Sequence, residues 1–129
     1  MATINVLIVV DALGAATSGL PNNVYLVDTH KHIGSGNEGQ AELYTTCHDG
    51  DVIVWAISPV DPGSDVSINS FTGQMIDSKI CTPVQQTGPD SGSWDGRVEA
   101  QGQKGNIQYS VVVNVDGTPM QFDPFLVVS

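Results

Sequence analysis

Positive charge is what this 129-residue chain has least of. Four Lys and Arg stand against fourteen Asp and Glu, a formal net charge of −10. Four cations neutralise few phosphates while fourteen carboxylates repel them, which argues against sequence-independent binding to nucleic acid. An anionic membrane surface repels the chain for the same reason. Long hydrophobic runs are missing too: the run Val6–Val10 stops at Asp11, far short of the roughly eighteen apolar residues of a membrane span. No cation precedes that run, so the basic segment of a secretory signal peptide is lacking and a cytoplasmic protein is expected. Cysteine is limited to Cys47 and Cys81, which in such a compartment read as reduced, partly buried thiols. Aromatic residues make up only 6%, so any ring platform for a ligand is small.

Helical patterning is scarce as well. No window places apolar residues at i, i+3, i+4 and i+7, and Gly numbers 14 and Pro 7. Asp11–Leu20 is the one stretch that suits a short helical turn, and Gly14 and Gly19 weaken it.

Strand signals are what the chain does carry. Thr3–Val10 and Asp51–Ser58 are apolar on both faces, as in strands covered on two sides. Asn23–Asp28, Ala41–Cys47, Trp94–Gln101 and, more weakly, Gln74–Cys81 add further strands, whereas Pro59, Pro62 and Gly63 mark the span from Ser58 to Phe71 as a loop. The clearest strand is Gly105–Val115, with Ile107, Tyr109, Val111, Val113 and Val115 on one face. Asp116-Gly117 then signals a tight hairpin, and Pro119–Val128 returns antiparallel with Pro124 at a bulge or edge. The sum is about eight short strands in one domain over residues 1–129: all-β, an antiparallel β-sandwich of Greek-key or jelly-roll kind.

Several stretches in series resemble one bacterial family. Ile4–Asp11 resembles the opening strand of the AidA/PixA inclusion-body proteins, and Gly50-Asp51-Val-Ile-Val-Trp55 resembles their central strand. Phe122-Asp123-Pro124-Phe125 resembles the closing strand, with Trp94, Gly102 and Tyr109 in the intervening string. The resemblance implies a β-sandwich without an established catalytic site. It also implies cytoplasmic accumulation, in some members as inclusions and under control of cell density. The chain is shorter than the usual member and, with three Met, lacks the Met-rich composition of one branch. Trp55, Tyr109, Phe122, Asp123 and Pro124 also have plain structural readings, as core aromatics, a turn and a strand end.

Four constellations could carry chemistry. His30, His32, His48 and Cys47 are zinc-ligand types, but no Cys-x-x-Cys or His-Glu-x-x-His spacing supports them, and loop histidines beside a thiol is the simpler reading. A hydrolase would use Cys47 with His48, or a Ser with a His and an Asp; yet neighbours on a strand face opposite ways, and no Gly-x-Ser-x-Gly elbow occurs. Asp49 and Asp51, with Asp61, Asp65, Asp90, Asp95 and Asp116, occupy turns and could converge on calcium; no EF-hand spacing occurs, and turn chemistry with solubility is the simpler reading. Trp94 beside Asp90 and Asp95 has the inventory of a glycan platform, although a Trp is more often core. The expectation is a protein that is not an enzyme and needs no cofactor. It would act as a homo-oligomer or by binding a glycan or protein partner, with a calcium-dependent lectin-like module as the alternative and a hydrolase last.

Overall fold

A computed structural model describes residues 3–19, 23–29, 43–86 and 92–128. The chain opens with β1 (Thr3–Val10), after which Asp11 caps helix α1 (Ala12–Ser18) by accepting from the Gly14 N–H at 3.1 Å. β2 (Val24–Asp28), β3 (Tyr44–Cys47) and β4 (Val52–Pro59) follow, then β5 (Val66–Thr72) and the single-turn helix α2 (Gln74–Asp77). The remaining strands are β6 (Val84–Gln85), β7 (Trp94–Arg97), β8 (Gly105–Gln108), β9 (Ser110–Val115), β10 (Thr118–Phe122) and β11 (Phe125–Val128). Eleven strands are thus described, against the eight expected.

Two expectations about local structure are corrected. The span before Phe71 is not all loop, because Val66–Thr72 pairs with β9. A bulge between Ile68 and Ser70 shifts the register and breaks the period-2 alternation that would have marked the strand. Gln74–Cys81 is not a strand: its start coils into α2, which buries Met75.

The strands form three sheets, ordered β2-β1-β4-β7-β6, β10-β9-β5 and β3-β11-β8. Two of them are mixed, and only β10-β9-β5 is wholly antiparallel as expected. β1 runs parallel to β4 from Thr3↔Val52 to Val10↔Pro59, and β11 runs parallel to β3. The predicted hairpin forms at Asp116 (φ 48°) and Gly117 (φ 86°), the left-handed pair that joins β9 to β10.

The long alternating segment is in phase throughout, yet it divides between sheets. Ile107 pairs with Leu126 in one sheet, while Val111 pairs with Phe122 in another. Tyr109 sits at the crossing, its N–H donating to the Pro124 carbonyl at 3.1 Å. Pro124 marks neither an edge nor a bulge; it lies in the break where the returning chain also changes sheets, between β10 and β11. Ser110 Oγ holds Asp123 there by donating to its carboxylate at 2.6 Å.

One contiguous core is filled from all three sheets, with Ile4, Ile8, Leu26, Ile53 and Trp55 from the first meeting Val111, Val113, Phe122, Ile107 and Leu126. Each such side chain contributes roughly 1.5–3 kcal/mol on burial. β1 lies mid-sheet as its composition suggested, but among the described residues only one of its faces is covered. Ile4, Val6, Ile8 and Val10 are buried, whereas Thr3, Asn5 and Leu7 face outward. The apolar residues on the outer face therefore do not belong to this core.

Candidate functional site

The densest gathering of polar candidates is the turn between β3 and β4. Gly50, with φ 91°, reverses the chain, and Asp51 begins the central strand buried at 4% exposure. Its Oδ2 accepts from the His48 N–H at 2.9 Å and lies 3.8 Å from His48 Nδ1. Asp49 Oδ1 accepts from the Ala100 N–H at 2.7 Å. Backbone bonds stitch the turn to the strand end opposite: Gly50 N–H donates to the Val98 carbonyl, and Val98 N–H to the Asp51 carbonyl, both at 2.7 Å. A shallow cavity of about 430 Å³ lies over this junction, lined by Asp49, Gly50, Arg97, Glu99 and Gln101. Both carboxylates thus hold backbone donors that a turn would otherwise leave unsatisfied.

Two other turn carboxylates also hold backbone donors. Asp61 accepts from the Gly63 N–H at 2.9 Å, and Asp116 accepts from the Asp65 N–H at 2.8 Å. Among the described residues no three His, Cys, Asp or Glu side chains gather closely enough to hold a metal ion. His30, His32 and Asp90 lie outside the described residues.

Cys47 ends β3 and Cys81 follows α2; both are buried and unbridged. Burial pushes the Cys47 thiol up to about 12, with the Asp51 charge adding to it. Burial does the same to Cys81, also to about 12, helped by Cys47, Glu99 and Asp95. A thiol held protonated in this way is a poor nucleophile.

Trp94 leaves the position expected of a platform half-filled by the core. Its ring centroid lies 5.5 Å from that of Phe71, which in turn is 4.8 Å from Trp55. Asp95 accepts from Gln86 Nε2 at 2.7 Å. Trp55 and Tyr109 are fully buried, the indole N–H donating to the Tyr109 hydroxyl at 3.3 Å. Burial raises the Tyr109 phenol well above its ordinary value, against the lowering effect of the Trp55 hydrogen bond. Sequence reasoning missed the Asp28 carboxylate, which accepts from buried Thr45 Oγ1 at 2.8 Å; nothing local in either segment signals that contact.

Residues 2–121 match the family model described as "Domain of unknown function (DUF8788)". The chain belongs to this family. No curated protein matches it. Among solved structures it is similar to the inclusion body protein PixA from Burkholderia cenocepacia J2315. The TM-score is 0.71 at 12% identity, covering 99% of this chain and 95% of that one. A nucleoside hydrolase-related hypothetical protein from Saccharophagus degradans aligns at a TM-score of 0.45 and 12% identity, over 74% of this chain and 25% of that one, too distant to carry an argument. The resemblance in the opening, central and closing strands is thus matched by a shared fold over nearly the whole chain. No described helix is long and apolar enough to cross a membrane.

Proposed function

We propose that this member of the DUF8788 family acts without catalysis, by associating with copies of itself, and that its three sheets form a β-sandwich that accumulates in the cytoplasm in the manner of an inclusion body protein. One observation carries the reading: among the described residues, both thiols and the two carboxylates of the β3–β4 turn are taken up by the fold. Cys47 and Cys81 are buried with raised thiols, and Asp49 and Asp51 accept backbone N–H groups. The likeness to PixA supports the same direction, since that protein is described as an inclusion body protein and shares the architecture.

The solution mass of the purified chain, measured by light scattering over a concentration series, tests the reading. Association that grows with concentration is expected. A strict monomer at every attainable concentration would overturn it, as would turnover of any substrate that is abolished by replacing His48 or Cys47.

A further inference from the structure

We propose that Asp116 is a self-modification site: its carboxyl condenses with the Gly117 backbone nitrogen, and the hairpin tip converts to isoaspartate. The chain holds three Asp-Gly steps, Asp49-Gly50, Asp95-Gly96 and Asp116-Gly117, and in each the glycine nitrogen has no Cβ beside it. The fold treats the three differently. Gly50 N–H is committed to the Val98 carbonyl at 2.7 Å, and Asp49 Oδ1 to the Ala100 N–H at the same distance. Asp95 and Gly96 lie inside β7, between β4 and β6, where Gly96 is buried against Cys81 Sγ and Asp95 accepts from Gln86. Asp116 and Gly117 are exposed at the tip of the β9–β10 hairpin. Nothing stands within 4 Å of where a Gly117 Cβ would be, and among the described residues none accepts from the Gly117 N–H.

The neighbouring strand does more than leave the tip open. Asp65 N–H donates to Asp116 Oδ1 at 2.8 Å, and Asp116 N–H donates to the Asp65 carbonyl at 2.8 Å. The first bond places a donor on the oxygen that gains negative charge as nitrogen adds to Cγ. Nitrogen and carboxyl belong to adjacent residues, so the reaction is intramolecular. The Gly117 nitrogen forms its bond to Cγ of the protonated carboxyl and gives up its proton. The Cγ–Oδ2 bond breaks with its electron pair, and Oδ2 departs as water with both protons. Water then adds to one of the two carbonyls of the resulting ring, and that C–N bond opens. Opening at Cγ restores Asp116; opening at the main-chain carbonyl gives isoaspartate. No oxidant or reductant is needed, and the net mass is unchanged. Isoaspartate routes the main chain through Cγ, which adds a methylene to a two-residue turn. Turn length sets the Val115↔Thr118 register, so the change loosens the β10-β9-β5 sheet at this end.

Ageing the purified chain in mildly acidic buffer made with heavy-oxygen water tests this. Peptide mapping with electron-transfer fragmentation reads both the label and the isoaspartate at each step. Conversion at Asp116 should exceed that at Asp49 and Asp95 by at least about tenfold, because a stitched turn or a paired strand opens less often than a hairpin tip. In urea the three steps should react alike. Asp116→Asn keeps an oxygen for the Asp65 N–H and tolerates the left-handed φ of 48°. It loses ammonia rather than water and should convert faster than wild type, with a thermal melt confirming that it folds. Equal conversion at all three steps of the folded chain overturns the proposal. So does a folded chain in which position 116 stays intact in both proteins while the unfolded chains react.

Discussion

The indole N–H of Trp55 donates to the hydroxyl of Tyr109 at 3.3 Å, 54 residues away in sequence, with both rings fully buried. Trp55 comes from the middle of the five-stranded sheet and Tyr109 from the crossing between the other two, so the bond ties three sheets at one point. Tyr109→Phe keeps the ring and removes the acceptor from a buried donor. A loss of about 1–3 kcal/mol is expected, read as a lower urea midpoint with an unchanged slope. An unchanged midpoint would show that the hydroxyl contributes nothing to the join.

Gly14 is expected to be irreplaceable although it sits in a helix. A Cβ there would run into the Asn23 side-chain amide and come within 2.9 Å of the Asp11 carboxylate. Asn23 cannot retreat cheaply, because its Nδ2 donates to Ser18 Oγ at 2.8 Å and to the Gly19 carbonyl at 2.7 Å. Ala gains about 1 kcal/mol of helix propensity over Gly but meets about 1–3 kcal/mol of overpacking and breaks the bonds that close α1. Gly14→Ala should therefore lower the melting temperature. A rise would mean that Asn23 is free to move.

Stability should fall as alkali is added, and the thiols set where. In the unfolded chain they ionise from 9.0, but burial keeps Cys47 and Cys81 protonated in the fold to about 12. Between those values the folded state binds more protons than the unfolded one, so each step up in pH favours unfolding. The stabilisation is whole below pH 9 and drains above it, by at most about 1.4 kcal/mol per pH unit for each thiol. Urea midpoints at pH 8 and pH 10 check this. The double variant Cys47→Ala with Cys81→Ala should flatten the dependence, leaving what Tyr109 contributes in the same direction.

How much of this was legible beforehand differs from element to element. The Ile107-to-Val115 alternation and the Asp116-Gly117 turn are local signals, and both appear as read. That one alternating ladder serves two sheets is not local; it depends on Tyr109 meeting Pro124. β5 escaped because its bulge puts Ile68 and Phe71 three residues apart, out of phase for a strand. The parallel partnership of β1 with β4 has no mark in either segment, because pairing is chosen by packing far along the chain. Leu7 shows the limit at the surface. An apolar residue on a strand looks the same in sequence whether a second layer or open water faces it.

Asp51 separates a structural carboxylate from a metal ligand. It is buried and receives the His48 N–H, so Asp51→Ala leaves that donor without its carboxylate and should cost about 1–3 kcal/mol. At this chain length each kcal/mol corresponds to roughly 3–5 °C in melting temperature. The drop should be the same in EDTA and in millimolar calcium, and calcium should shift neither protein. A cation bound only by the folded state must raise the melting temperature with concentration, whatever else it does. If calcium stabilises wild type and that gain vanishes in Asp51→Ala, the carboxylate holds a cation and its assignment to the turn backbone fails.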